Sequence, residues 1–143
     1  MSQRSAKHVA AVAVLVIKDG RVLSLRRSVD KDAAPGVWEA LSGRVEPGED
    51  PLETAEREVL EECGLEVKIE RRPWTAYAAD RAGEPMLVVV YRAAYVAGEV
   101  RMSGEHDAYA WRTADTFAAS TTLTALVEAV ESALAAPPPH TDA

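Results

Sequence analysis

Glu58, Glu61 and Glu62 stand at the i, i+3, i+4 spacing that puts three carboxylates within an arc of about 100° on a helix. Like charges so placed repel by about 0.2–0.5 kcal/mol per pair, a penalty that a bound divalent cation reverses. Carboxylate oxygens are the hard ligands that Mg²⁺ and Mn²⁺ prefer, and Mg²⁺ leaves coordination positions open for water and substrate phosphates. The cluster therefore points to phosphoryl chemistry. It lies inside an acidic block: from Glu46 to Glu62 there are eight acids and one base, Arg57, which accounts for the whole formal charge of −7. Elsewhere acids and bases balance. No surplus of Lys and Arg remains to displace counterions from a phosphate backbone, which argues against a nucleic-acid polymer as partner.

The helix that must carry these acids is marked at both ends. Asp50 serves as N-cap, Pro51 takes the first helical position, Glu53 stands where a capping box places an acid, and Gly64 ends the helix. Leu52, Ala55, Val59 and Cys63 form its apolar side. Arg57 falls beside the carboxylate arc, where its planar fork can hold Glu49 in a bidentate pair and anchor the preceding loop. Val9 to Ile17 reads as a strand buried on both faces, returning through Lys18-Asp19-Gly20 into Arg21 to Arg26 as a hairpin. Ser28 to Gly36 is a loop, and Val37 to Leu41 a short extended piece. Leu65 to Ile69, Trp74 to Ala79 and Met86 to Val96 are further strands, the last two joined across Asp80 to Gly83. Ala108 to Arg112 is a short strand whose Tyr109 and Trp111 are expected in the core. Thr113 to Ala118 and Thr121 to Ala136 are helices, the second with Leu123, Leu126, Val127, Val130 and Leu134 on one side.

The 143 residues suit one domain over 8–136, with a flexible start at 1–7 and, after three prolines, a disordered tail at 137–143. A single cysteine, Cys63, excludes an intramolecular disulfide and a Cys-based zinc site. The longest apolar run, Val9 to Ile17, is too short to cross a bilayer. A cytoplasmic protein without a membrane partner is expected.

The stretch GRVEPGEDPLETAEREVLEECGL, Gly43 to Leu65, resembles the signature of the Nudix hydrolases at Gly43, Glu49, Arg57, Glu58, Val59, Glu61, Glu62, Gly64 and Leu65. The resemblance implies an α+β fold, an α-β-α sandwich with a mixed β-sheet packed between helices. It also implies a divalent cation, Mg²⁺ or Mn²⁺. Glu58, Glu61 and Glu62 match the metal-binding acids, the backbone carbonyl at Ser42 often completes the shell, and Arg57 with Glu49 matches the pair that braces the helix. Gly43 and Gly48 allow tight backbone turns. Further on, Glu105-His106-Asp107-Ala108-Tyr109-Ala110-Trp111 is similar to a segment shared by several subgroups, in which the position of Glu105 supplies a further metal ligand or the base. His106 is expected to orient that loop. Leu41-Ser42-Gly43 departs from the Pro-Gly-Gly of many triphosphate-cleaving members.

The implied reaction is cleavage of a phosphoanhydride bond in a nucleoside diphosphate linked to X, such as a nucleoside triphosphate. Glu58 is the first choice for the base and Glu105 the second. Arg26, Arg27 and Arg44 are candidates for substrate phosphates. Dinucleoside polyphosphates, ADP-ribose and nucleotide sugars stand as alternative substrates. A nonhydrolytic nucleotide-binding regulator is a rival of another class, although such proteins tend to lose acids that are all present here. An isomerase on the same scaffold needs a well-placed cysteine, and Cys63 falls on the wrong side. A calcium-responsive module lacks its Asp-x-Asp-x-Asp-Gly loop. A homodimer is common among similar proteins.

Overall fold

The structure, a computed structural model, describes residues 7–30 and 34–140. Strand β1 (Val9–Lys18) alternates between two cores. Ala11, Ala13, Leu15 and Ile17 join one apolar cluster, Val12, Val14 and Val16 the other, and all are buried. A continuous apolar strand needs cover on both faces. Strand β2 (Arg21–Arg27) returns antiparallel through Asp19 and Gly20. Both turn residues have positive φ, 51° and 73°, as a two-residue hairpin turn of type I′ requires.

The extended piece expected at Val37 to Leu41 is two strands. β3 (Trp38–Glu39) pairs with β2, whereas β4 (Leu41–Arg44) pairs with β1 across Ala11 to Val14. The cause is divergence of the first hairpin. β1 and β2 are paired only from Ile17 to Val22, so the rest of β1 has an open edge that β4 fills. Helix α1 (Pro51–Glu62) follows, then β5 (Glu66–Ile69), β6 (Thr75–Arg81), β7 (Glu84–Ala97), β8 (His106–Arg112), α2 (Ala114–Ser120) and α3 (Thr124–Ala135).

β7 runs parallel to β1 along Met86 to Ala94. On its other edge it pairs with β6 in its first half and β5 in its second, while β8 pairs with β2. The result is an eight-stranded mixed sheet between two helical layers. Ala55, Val59 and Cys63 of α1 and the residue after it pack on Val12, Val14, Leu23, Leu25 and Tyr91. Phe117 of α2 and Leu126, Ala129, Val130 and Ala133 of α3 pack on Leu15, Val22, Met86 and Val90. This is the α-β-α sandwich.

Two expectations change. Tyr109 is 44% exposed, because β8 is an edge strand paired only with β2; Trp111, two residues on, is partly buried and packs edge-on to Tyr95 at 5.9 Å. Leu123 precedes α3 as its N-cap and is exposed rather than on its packed face. Near the end of the described chain, Arg92 reaches back to the last turn of α3 and the chain after it. Buried Arg92 on β7 donates Nη1 to the carbonyls of Ala133 (3.1 Å) and Pro137 (2.8 Å), and its other nitrogens grip both oxygens of Glu70. Pro139 is buried. The rest of that expected tail, 141–143, and all but Lys7 of the expected flexible start lie outside the described residues. Among the described residues no helix is long and apolar enough to cross a membrane.

Candidate active site

Local chemistry fixes α1 and the loop before it. Asp50 Oδ1 accepts from the Glu53 N–H at 3.0 Å, and Glu53 Oε1 accepts from the Asp50 N–H at 2.9 Å, closing a capping box. Gly64 leaves the helix with φ 66°. Arg57 ties helix to loop: Nε donates to Glu49 Oε2 at 2.8 Å, and Nη2 donates to Glu49 Oε1 at 2.9 Å and to the Arg44 carbonyl at 3.0 Å. Its Nη1 reaches Glu58 Oε1 at 2.7 Å and Glu61 Oε2 at 3.4 Å. The Arg57 guanidinium, followed by the Glu46 N–H and the Thr54 hydroxyl, holds the Glu49 carboxyl down at about 2.

Glu58 and Glu62 are each only 7% exposed, whereas the Glu61 side chain is 57% exposed. Burial first of all pushes both buried carboxyls up, and Glu62 is raised further by neighbouring Glu58, Glu39 and Glu105. Gly43 on β4 lies directly against the Glu58 carboxyl, where no Cβ has room. One oxygen of Glu62, Oε2, is buried without a hydrogen-bond partner. Facing it at 4.0 Å is His106 Nδ1, also buried and unpartnered, a separation too long for a hydrogen bond. The other ring nitrogen, Nε2, lies 3.0 Å from Glu39 Oε2, so the ring is held from one side.

Glu39, inside the short extended piece from Val37 to Leu41, is a candidate-site residue that the sequence did not single out. Almost fully buried, it meets Arg81 Nη2 through Oε1 at 3.3 Å and Arg27 Nη1 through Oε2 at 3.4 Å. An acid inside an extended, largely apolar segment was the available signal, since a buried charge needs partners. Arg81, at a hairpin end, carried none.

A cavity of about 1320 Å³ joins these groups. Its lining includes Ser42, Gly43, Glu58, Glu61, Glu62 and Glu105, together with Arg27, Glu39 and Arg81 and the largely apolar Tyr77, Met86, Val88 and Leu126. Burial pushes the Tyr77 phenol up to about 12. Glu105 is placed by its backbone: its N–H donates to Ser103 Oγ at 3.2 Å and its carbonyl accepts from the Ser28 N–H at 3.0 Å. Of the three arginines expected near substrate, Arg27 and Arg44 line the cavity. Arg44 also pairs with Glu84 at 2.9 Å. Arg26 does not line it; its Nε pairs with Asp107 at 2.7 Å and its guanidinium lies over the Trp38 ring. Neighbouring strand residues point to opposite faces.

Among the described residues no three His, Cys, Asp or Glu side chains already form a ligand set; Glu58 and Glu61 are engaged by Arg57. The donor chemistry nevertheless fits a hard divalent cation. It offers the carboxylates of Glu58, Glu61, Glu62 and Glu105 along the cavity and a buried Glu62 oxygen that no hydrogen bond satisfies.

The opposite shifts predict a pH optimum of stability. Between the ordinary carboxylate range and the raised values of Glu58 and Glu62, the folded state holds more protons than the unfolded chain. Stability of the metal-free protein must therefore fall as pH rises through that window. Glu49 works the other way: its contribution is present above 4.5 and is lost as pH falls toward about 2. The melting temperature in EDTA is expected to peak in mildly acidic buffer and decline between about pH 6 and 8.5. Thermal melts across that range check it, and a rising curve would contradict the raised pair.

An intact signature of 23 residues, Gly43 to Leu65, on a mixed sheet between helices defines the class. The chain belongs to the NUDIX family of hydrolases: the NUDIX domain model matches residues 6–131. It is 33% identical over 110 residues to the nucleoside triphosphatase NudI of Escherichia coli O1:K1 / APEC, covering 70% of this chain and 78% of that protein. A stretch of 108 residues is 37% identical to an octanoyltransferase of Myxococcus xanthus, covering 70% of this chain but only 29% of that relative's length. Among solved structures, the MutT protein from Methanosarcina mazei Go1 superposes with a TM-score of 0.80 at 26% identity, over 91% of this chain and 95% of that one.

Proposed function

We propose that this chain hydrolyses a phosphoanhydride bond in a nucleoside diphosphate linked to X, giving a nucleoside monophosphate and either pyrophosphate or phosphorylated X. Nucleoside triphosphates are the first substrates to test, in line with the activity named for the NudI relative. The observation that carries this reading is the buried Glu58–Glu62 pair, raised by burial and lining a cavity that also holds Arg27 and Arg44. Glu58, Glu61, Glu62, Glu105 and the Ser42 carbonyl would hold Mg²⁺ or Mn²⁺. Bound there, the cation supplies charge neutralisation for the diphosphate and a more acidic water.

The chain's own groups do the rest. Arg57 fixes Glu58 by the 2.7 Å hydrogen bond, and burial makes that carboxylate the stronger acceptor for the attacking water's proton. Glu105 is the second candidate for this role. Glu49, through Arg57, fixes the loop against the helix. Arg27 and Arg44 orient substrate phosphates, and the apolar side chains lining the cavity receive the nucleoside. The test is a product-resolved screen of triphosphates, dinucleoside polyphosphates, ADP-ribose and nucleotide sugars with Mg²⁺ and Mn²⁺. Metal-dependent formation of a nucleoside monophosphate is expected. Nucleotide binding without any turnover across the panel would replace the hydrolase reading with the regulator.

A further inference from the structure

Three buried side chains from different elements meet at the cavity wall: Glu39 of β3, Glu62 of α1 and His106 of β8. Glu39 and Glu62 line the cavity, whereas His106, with its side chain 2% exposed, does not. The ring therefore backs the two carboxylates instead of facing a substrate. The start of β8 sends it there. Arg26 pairs with Ala108 and Arg27 with His106, which leaves Asp107 as an extra residue. Such a bulge re-aims the side chains beside it. Asp107 meets Arg26 at 2.7 Å, and His106 meets Glu39, with Nε2 and Oε2 3.0 Å apart.

Buried polar groups nearly always find a partner. Among the described residues four buried side-chain nitrogen and oxygen atoms have none, and two of these, Glu62 Oε2 and His106 Nδ1, face one another at 4.0 Å. The gap is about 1 Å longer than a hydrogen bond. The ring is tethered through Nε2, while Glu62 has rotatable bonds that can close such a distance. A carboxylate has about four lone-pair sites, so a hydrogen bond at Oε2 leaves the others for a cation.

We propose that His106 is a positioning residue: anchored on Glu39, its Nδ1 holds Glu62 in the orientation that binds the divalent cation. The proposal rests on the metal-site reading above and deepens it, since the sequence gave His106 only the orientation of its own loop. Groups that orient a ligand from one step behind the metal typically govern affinity by about 10–100-fold.

The test measures Mn²⁺ binding without nucleotide, from the paramagnetic resonance signal of the free ion, in the wild type, His106→Asn, His106→Gln and His106→Leu. Asparagine places an amide group where Nδ1 stands and can keep the bond to Glu62. Glutamine reaches toward Glu39 in the manner of Nε2 and leaves Glu62 without a partner; leucine serves neither. His106→Asn is expected to bind Mn²⁺ within about threefold of wild type, and the other two about tenfold or more weakly. A purely structural role would show in EDTA melts instead, where His106→Asn and His106→Gln should lie within a few degrees of each other. If His106→Leu fails to fold, the contrast between asparagine and glutamine decides. Affinities within about threefold of wild type in every folded variant, or equal losses in His106→Asn and His106→Gln, would overturn the proposal. A wild type that binds no Mn²⁺ would remove the metal site and the proposal with it. Turnover is a separate readout: saturating Mn²⁺ should bring kcat of His106→Gln back to within about threefold of wild type, because the residue acts on the cation's ligand and not on the reacting atoms. Absence of turnover with the Mn²⁺ pattern intact would remove the hydrolase reading and leave the role of His106 standing.

Discussion

Glu62→Gln is expected to lower turnover by about a thousandfold or more and, at the same time, to raise the melting temperature of the metal-free protein. Both results follow from one fact of burial. Glu62 shares a desolvated space with Glu58, and one of its oxygens has no hydrogen-bond partner. Without a cation the folded state must either keep a proton on this pair or bury two like charges, and each choice costs stability at neutral pH. Glutamine keeps the shape and removes one charge, so that cost disappears. It also gives up an anionic ligand, so the proposed cation loses affinity. The stability gain in EDTA should grow as pH rises, since the wild-type penalty grows in that direction. Millimolar Mg²⁺ should raise the wild-type melting temperature and move the variant far less. Paired melts with and without metal, together with steady-state rates, check both halves. Full activity in Glu62→Gln would remove this carboxylate from the reaction.

What was legible in the sequence was what neighbouring residues decide among themselves. Asp50, Pro51 and Glu53 form their capping box within four positions, and Glu49 meets Arg57 across one loop and two helical turns. Their partners lie within reach along the chain, so residue type and spacing suffice. The alternating cores of β1 were legible for the same reason. Glu39 was different. Its partners Arg27, Arg81 and His106 stand 12, 42 and 67 residues away, and they meet only because β3 pairs with the edge of β2 while β4 crosses to β1. That crossing depends on where the first hairpin diverges, which no local pattern encodes. Arg92 was hidden by a related effect. Inside the apolar run from Met86 to Val96 a lone arginine reads as an interruption, yet it is buried and satisfies Glu70 and the carbonyls of Ala133 and Pro137. Tyr109 and Trp111 have the same alternation in sequence, and what separates their burial is a neighbour distant in the chain: Trp111 packs edge-on to Tyr95, whereas Tyr109 stays exposed.

Gly43→Ala should lower turnover by about a hundredfold while leaving the fold largely intact. A Cβ at position 43 would overlap the Glu58 carboxyl and its adjoining methylene. The group it meets is the far end of a side chain with rotatable bonds, not backbone, so Glu58 can swing away at a modest cost of about 1–3 kcal/mol. Stability therefore falls moderately. Activity falls more, because the displaced carboxylate is the one that Arg57 holds at 2.7 Å and the first candidate for the base. Backbone strain cannot explain the loss, since Gly43 is absent from the positive-φ glycines. The discriminating measurement is a double-mutant cycle. In a Glu58→Ala background the three atoms nearest the new methyl are gone, so adding Gly43→Ala should change neither the residual rate nor the melting temperature by more than a small amount. Additive losses in the double variant would mean that Gly43 acts through the backbone of β4 and the Ser42 carbonyl, independently of Glu58. Strong non-additivity would establish that this glycine is required because it makes space for one carboxylate.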